Sequence, residues 1–309
     1  MNRTTKKIVS TILCAAMLAL LAGCSSRTSG KGSSTESTSN QGTSSQESSA
    51  DSSSTSFGEN KVDIRGNLDE VKLNSGDLIA EITVKDYGTI KAKLFPEAAP
   101  VGVENFQKLA NSGYYKGLKI HRVMQDFMIQ GGSLNGNGTG GDAAVNGGSF
   151  GIETNRNLRH FYGALCYANA AGSNTTQFYI VNKNTPATDG DFDTSGYDDA
   201  IEQYKAYAQQ AAAEGNTAYW DYFSFQAKYC ETTKDWLENA SDEVKNLYKE
   251  RGGTPFLDGN YTVFGQVYEG LDVIDSISSA EVQNNGNDEI SLPVQDIIIT
   301  DIKVYSYSE

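Results

Sequence analysis

Lys119-Ile120-His121-Arg122-Val123-Met124-Gln125-Asp126-Phe127-Met128-Ile129-Gln130-Gly131-Gly132 is the stretch on which the fold turns. It reads as two strand-like runs, Leu118 to Val123 and Phe127 to Gln130, either side of a short polar turn. Working back, Leu78, Ala80, Ile82 and Val84 alternate with Glu81 and Thr83, and Ile90, Ala92 and Leu94 alternate with Thr89, Lys91 and Lys93. Two period-two runs joined by Asp86-Tyr87-Gly88 predict a hairpin. Pro100 suits the first position of a helix, Val103, Phe106, Leu109 and Ala110 form its apolar stripe, and Gly113 suits its end. Working forward, Tyr162 to Ala168, Gln177 to Val181 and Tyr261 to Gly265 read as strands, and Leu271 to Ile277 as a short helix. The run Val294 to Tyr305 reads as a last strand with Ile298, Thr300, Ile302 and Val304 on one face. Many short strands with few helices predict a mainly β fold, a closed antiparallel barrel.

Residues 185–252 interrupt this pattern. Helices are expected from Asp198 to Ala213, from Ala218 to Ala240, and from Asp242 to Glu250 behind a Ser241 cap. Gly252-Gly253 closes the block, and both tryptophans, Trp220 and Trp236, lie in it. A helical insertion packed on the barrel is the simplest reading.

The N-terminus reads as an address and a tether. Arg3, Lys6 and Lys7 precede an apolar stretch, Ile8 to Leu21, too short to span a bilayer. It ends Leu21-Ala22-Gly23-Cys24, which resembles a bacterial lipobox in which the cysteine is lipidated. The expected organisation is a signal peptide over 1–23 and, over 24–60, the lipidated Cys24 with a disordered Ser/Thr-rich linker. A folded domain over 61–309 follows, carrying the insertion. In residues 25–56 Ala50 is the only apolar aliphatic side chain, so this segment cannot offset its chain entropy by burial. A flexible chain of that length spans about 30 Å. The expected location is extracytoplasmic, with the domain anchored to the bacterial membrane through lipid.

Composition narrows the chemistry. The net charge is −14 and falls to −17 once residues 1–23 and their three cations are removed. So acidic a chain (pI near 4.6) is not expected to bind nucleic acid, which needs clustered Lys and Arg. Two histidines and four cysteines leave too few ligands for a zinc cluster. No metal and no cofactor is expected. Gly136-Asn137-Gly138-Thr139-Gly140-Gly141 matches G-x-G-x-x-G, but no amphipathic helix follows to receive a pyrophosphate. Cys166 and Cys230 remain after loss of the signal and lipidation of Cys24. Their pairing cannot be read from sequence, and buried, unreactive thiols are expected.

The opening stretch occurs together with Gly138-Thr139-Gly140-Gly141, Tyr167-Ala168-Asn169-Ala170 and Thr176-Gln177-Phe178-Tyr179. It is also followed by Phe256-Leu257-Asp258-Gly259-Asn260-Tyr261-Thr262-Val263-Phe264-Gly265. In this order and spacing the set closely resembles the cyclophilin family of peptidyl-prolyl cis–trans isomerases, from about Asp77 to Tyr305 without the insertion. The resemblance implies an eight-stranded antiparallel barrel capped by two helices, and a monomer acting on proline-containing unfolded or exported polypeptides. It implies Arg122 as the catalytic arginine, Phe127 and Met128 as the floor of the proline pocket, and Gln130 as the amide holding the arginine. Ala168 and Asn169 would grip substrate through their backbone, and Gln177 would contact it. Tyr179, Leu257 and Tyr261 would form the pocket wall. His121 precedes the arginine as in the family and is expected near substrate without an acid–base task. Phe256 stands where many eukaryotic members have tryptophan, which puts cyclosporin binding in doubt. Tyr261 and Tyr179 replace a histidine and a phenylalanine and bring hydroxyls to the wall. The alternative left by the sequence is a cyclophilin-like module that binds proline segments, or holds unfolded chains, without turnover.

Overall fold

A computed structural model describes residues 73–308. The expected signal peptide, Cys24 and the linker lie outside the described residues. Within them the alternating runs become strands β1 (Leu78–Val84), β2 (Gly88–Leu94), β3 (Lys119–Met124), β4 (Met128–Gly131), β5 (Ala164–Ala170), β6 (Ser173–Val181), β7 (Val263–Glu269), β8 (Val282–Asn284), β9 (Ile290–Pro293) and β10 (Ile297–Ser306). Eight of them close into a barrel in the order β1-β10-β3-β4-β6-β5-β7-β2, every neighbouring pair antiparallel. β8 and β9 form a separate two-stranded hairpin.

Helix α1 (Pro100–Asn111) begins at Pro100, as its fixed φ favours, and buries Val103, Phe106, Leu109 and Ala110. Phe106 reaches the interior, with ring centroids 5.6 Å from Phe178, 5.1 Å from Phe264 and 5.3 Å from Tyr115. Four aromatic rings thus fill the space between α1 and the strands at contact distance. A second flanking helix, Leu271–Ser278, adds Val273, Ile274 and Ile277 to the same core.

The insertion contains α2 (Tyr197–Ala213), α3 (Thr217–Glu238) and α4 (Asp242–Arg251); the flanking helix Leu271–Ser278 is α5. Ser241 Oγ accepts a hydrogen bond from Val244 N at 3.2 Å, so the expected cap of α4 is present. α2 and α3 pack along each other, and Lys234 of α3 pairs with Asp198 at 2.6 Å.

Two expectations are corrected. The last strand does not begin at Val294: Val294 is exposed and lies in the link between β9 and β10. Nor do Ile298, Thr300, Ile302 and Val304 share the core face. Ile297, Ile299, Ile302 and Val304 are buried instead. β10 pairs Asp301 with Thr83 and then Ile299 with Val84, so Thr300 is the extra residue of a bulge. One inserted residue reverses which side chains face inward.

Candidate active site

The site lies on the outer side of the barrel wall, where strand parity puts it. Along β5, Leu165 and Tyr167 belong to the interior core, while Ala164, Cys166 and Ala168 belong to a second apolar cluster. Along β6, Phe178 and Ile180 face in, and Tyr179 and Val181 join the second cluster. On β4, Ile129 faces in and Met128 out. Period two therefore gives each strand one set of side chains for stability and another for the site. Register aligns a row across the wall: Arg122 opposite Gln130, Gln130 opposite Tyr179, and Tyr179 opposite Cys166.

Arg122 is buried, and its guanidinium is held on several sides. Nη1 donates to Gln130 Oε1 at 3.4 Å, and Gln130 Nε2 donates to Gln177 Oε1 at 3.1 Å. Gln177 Nε2 then donates to the Gly138 carbonyl at 2.9 Å. Each amide accepts on one side and donates on the other, so the chain has a single consistent direction from the arginine to the glycine-rich loop. Gln177 is thereby committed to the loop and to Gln130. The Arg122 Cζ lies 6.0 Å from the centre of the Phe127 ring, and Nη1 lies 3.8 Å from Met128 Sδ.

The second cluster gathers Met128, Tyr179, Leu257 and Tyr261, with Phe127 and Phe256 packed against it. These are the expected floor and wall of a proline cup. The cup is closed to solvent: Met128, Tyr179 and Leu257 are 0 % exposed and Tyr261 3 %. Phe127 and Phe256 stack across its mouth with centroids 6.0 Å apart and planes 23° apart. The insertion adds Phe225 and Tyr229 of α3 to the same cluster, Tyr229 lying 6.3 Å from the Tyr261 ring. Burial pushes the Tyr179 and Tyr261 hydroxyls well above their ordinary pKa, so both stay neutral, and the Tyr179 hydroxyl has no hydrogen-bond partner among the described residues.

His121 is also buried, and neither ring nitrogen has a hydrogen-bond partner. Burial first, and then the charge of Arg122, lower its pKa to about 4. It is neutral at pH 7 and carries no proton to give as an imidazolium. It lines a cavity of about 150 Å³ with Arg122, Gln130, Asn285 and Ser291. A larger cavity of about 400 Å³ lies on the other side of Gln130, lined by Ala168, Asn169, Gln177, Gly138 and Gly140. Asn169 spends its side chain locally, donating to the Asn260 carbonyl at 2.9 Å and accepting from Gly172 N at 3.0 Å.

Two residues of consequence are given no role by the sequence reading. Glu289, on the turn between β8 and β9, accepts from Arg122 Nε at 2.7 Å and from Nη2 at 2.6 Å. Burial raises its carboxyl pKa, but the hydrogen bonds and charge of Arg122, helped by Ser291, outweigh this and hold it below its ordinary value. Asp258, in the turn after Leu257, is fully buried and accepts from Arg159 Nη1, the His160 backbone N–H and the Tyr248 hydroxyl, at 2.9–3.0 Å. His160 Nδ1 lies 2.8 Å from it as well. Tyr248 belongs to α4, so one carboxylate ties the insertion to the pocket wall. The guanidiniums of Arg156 and Arg159 both lie over the ring of Trp236 of α3, at 4.8 and 4.5 Å. Gly259 meets this indole edge with φ of 80°, and a Cβ there would collide with the Trp236 ring.

Comparison with known proteins places the chain in a family. The family model for cyclophilin type peptidyl-prolyl cis-trans isomerase/CLD matches residues 79–205 and 235–304. The chain belongs to the cyclophilin-type peptidyl-prolyl isomerases. A candidate isomerase of Staphylococcus saprophyticus is 32% identical to this cyclophilin over 251 residues, covering 81% of this chain and 98% of its own. One from Staphylococcus aureus is 32% identical over 218 residues, covering 70% of this cyclophilin and 87% of its own length. A crystal structure of a cyclophilin type isomerase from Cryptosporidium parvum shares 22% identity, covers 75% of this chain and 99% of its own, and superposes with a TM-score of 0.48. The family match leaves out residues 206–234, which run from α2 into α3.

Proposed function

We propose that this cyclophilin accelerates rotation about X-Pro bonds in exported proteins outside the cytoplasm, held at the membrane by lipid on Cys24. A prolyl amide resists rotation because its nitrogen lone pair is delocalised into the carbonyl, a barrier of about 18–20 kcal/mol. In the twisted state the lone pair returns to nitrogen, which becomes a hydrogen-bond acceptor. A guanidinium donor aimed at that nitrogen binds the twisted form better than either planar form, which is the condition for acceleration. No bond is made or broken, so the site needs no nucleophile. The observation that carries this reading is Arg122 Nη1, turned toward Met128 and the Phe127 ring while Gln130 steadies it.

In this reading the prolyl ring enters between Phe127 and Phe256, whose stacked rings part to admit it, onto a floor of Phe127 and Met128 and within a wall of Tyr179, Leu257 and Tyr261. The backbone of Ala168 and Asn169 holds the residues before proline while the other side of the bond turns. Location and anchoring rest on the N-terminal sequence: a basic start, a short apolar run, Leu-Ala-Gly-Cys and a polar linker.

The closed cup favours one second reading, a module that binds proline segments without turning them over. A protease-coupled proline-peptide assay on the wild type and on Arg122→Ala separates the two. The isomerase reading expects catalysis in the wild type and its loss in the variant. Absence of wild-type catalysis leaves only the binding module.

A further inference from the structure

The β8–β9 hairpin puts a carboxylate where the isomerase reaction as usually drawn needs none. A guanidinium has five N–H donors in one plane. Glu289 takes two along one edge, Nε and Nη2, at 2.7 and 2.6 Å. Met124 Sδ lies 3.1 Å from Nη2. The remaining edge, Nη1, has only the long bond to Gln130 and the contact with Met128 Sδ. A single-point ion pair would let the plane roll about its axis, whereas two parallel bonds to one carboxylate prevent this. The side chains of Arg122 and Glu289 are 6 % and 11 % exposed, so solvent screens the pair little.

The hairpin is shaped to present this residue. Asn285 N donates to the Glu289 carbonyl at 2.9 Å, and Asn285 Nδ2 donates to its Oε1 at 3.3 Å. Asp288 (φ 60°) and Gly286 (φ 90°) turn the chain between them, and β9 lies against β3, which carries the arginine. Glu289 therefore takes the Nε–Nη2 edge of the guanidinium and leaves Nη1 to Gln130 and Met128.

We propose that Glu289 is a positioning residue for the isomerase reaction, fixing the plane of Arg122 so that the Nη1 edge meets the turning prolyl nitrogen. The inference rests on the isomerase reading of Arg122. It makes the hairpin part of the site through the arginine it holds.

The test compares full-length wild type with Glu289→Ala, Glu289→Gln and Glu289→Asp, each first checked for the wild-type amide NMR spectrum. Misplacing a catalytic group by about 1 Å can cost about 100-fold in rate. Glu289→Ala is expected to lose about 10-fold or more in kcat on a proline peptide with KM unchanged, and Glu289→Asp to lose less. The Arg122 Nε–H resonance should lie downfield and exchange slowly in the wild type, and lose both properties in Glu289→Ala. If Glu289→Ala does not fold, Glu289→Gln carries the same comparison, since its amide N–H cannot accept from the second guanidinium donor. A folded variant with wild-type kcat, or a higher one, overturns the proposal; the higher value would make Glu289 a competitor for the guanidinium. Absence of wild-type activity would instead overturn the isomerase reading, and the Nε–H signal would still report whether Glu289 holds the arginine.

Discussion

Arg122→Lys separates the geometry of the catalytic cation from its charge. Lysine keeps a positive charge opposite Glu289, so the carboxylate is not stranded. It cannot reproduce the fork: the paired bonds at 2.7 and 2.6 Å, the bond to Gln130 and the Nη1 edge over Met128 are lost together. Removing one preorganised donor from a developing charge costs about 3 kcal/mol. At about 1.4 kcal/mol per decade, kcat/KM should fall by roughly two decades. Stability should change little, by about 1 kcal/mol, because a charge pair remains. Arg122→Ala should lose as much activity but also about 2 kcal/mol of stability, since it leaves the half-buried Glu289 without its partner. The assays are protease-coupled rotation of a proline peptide and urea unfolding on the same samples. An Arg122→Lys variant within threefold of wild-type kcat/KM would refute the reasoning, because a point charge would then suffice.

Asp258→Asn should cost about 3 kcal/mol in urea unfolding, since Arg159 would be left buried opposite a neutral amide; limited proteolysis should then cut within 185–252 first, because Tyr248 keeps only one of its two acceptor oxygens and loses the charge on it. His121 has a folded pKa of about 4, below the ordinary 6.5, so the unfolded state takes up its proton first as the pH falls. Its contribution is intact above pH 6.5 and is lost progressively toward pH 4, by up to about 3 kcal/mol; His121→Leu should flatten that part of the stability–pH curve, and an unchanged slope would contradict the assignment. Gly259→Ala should destabilise by about 2 kcal/mol or more through its positive φ and the collision with Trp236, lowering the thermal midpoint by several degrees. Cys166 and Cys230 are free and buried, and burial raises both thiols, Cys230 to about 12; neither should react with a maleimide until the chain is unfolded, as read by intact mass.

The barrel was legible where one face of a strand is buried and the other polar, as in Leu78–Val84 and Gly88–Leu94. It failed at Thr300, because a bulge leaves composition unchanged and alters only parity. The helices of the insertion were legible from local signals, such as the Ser241 cap and the two acids after it. The gathering of Arg122, Phe127, Met128, Gln130 and Gln177 followed from a resemblance in ordered motifs, since no single one of these residues is diagnostic. Glu289 was not legible: it is 167 residues from Arg122 and sits among Asn, Gly and Asp in what reads as a solvated loop. The closed cup was equally hidden. It depends on Phe225 and Tyr229, aromatic residues of α3 whose direction is set by tertiary packing and not by their own segment.

Closure of the eight strands bears on the company an isomerase keeps. Unfolded chains carry unpaired backbone groups and add readily to any free sheet edge, which can turn a helper into a template for aggregation. Among the described residues each barrel strand has a neighbour on both sides; β10 meets β3 only at Ile297 and Ile298, and farther along Asn111 of α1 takes both backbone groups of Val304. The two-stranded β8–β9 piece does have rims, but its strands are three and four residues long, and Pro293 ends the second. The architecture can therefore meet sticky polypeptide repeatedly without offering it a place to pair.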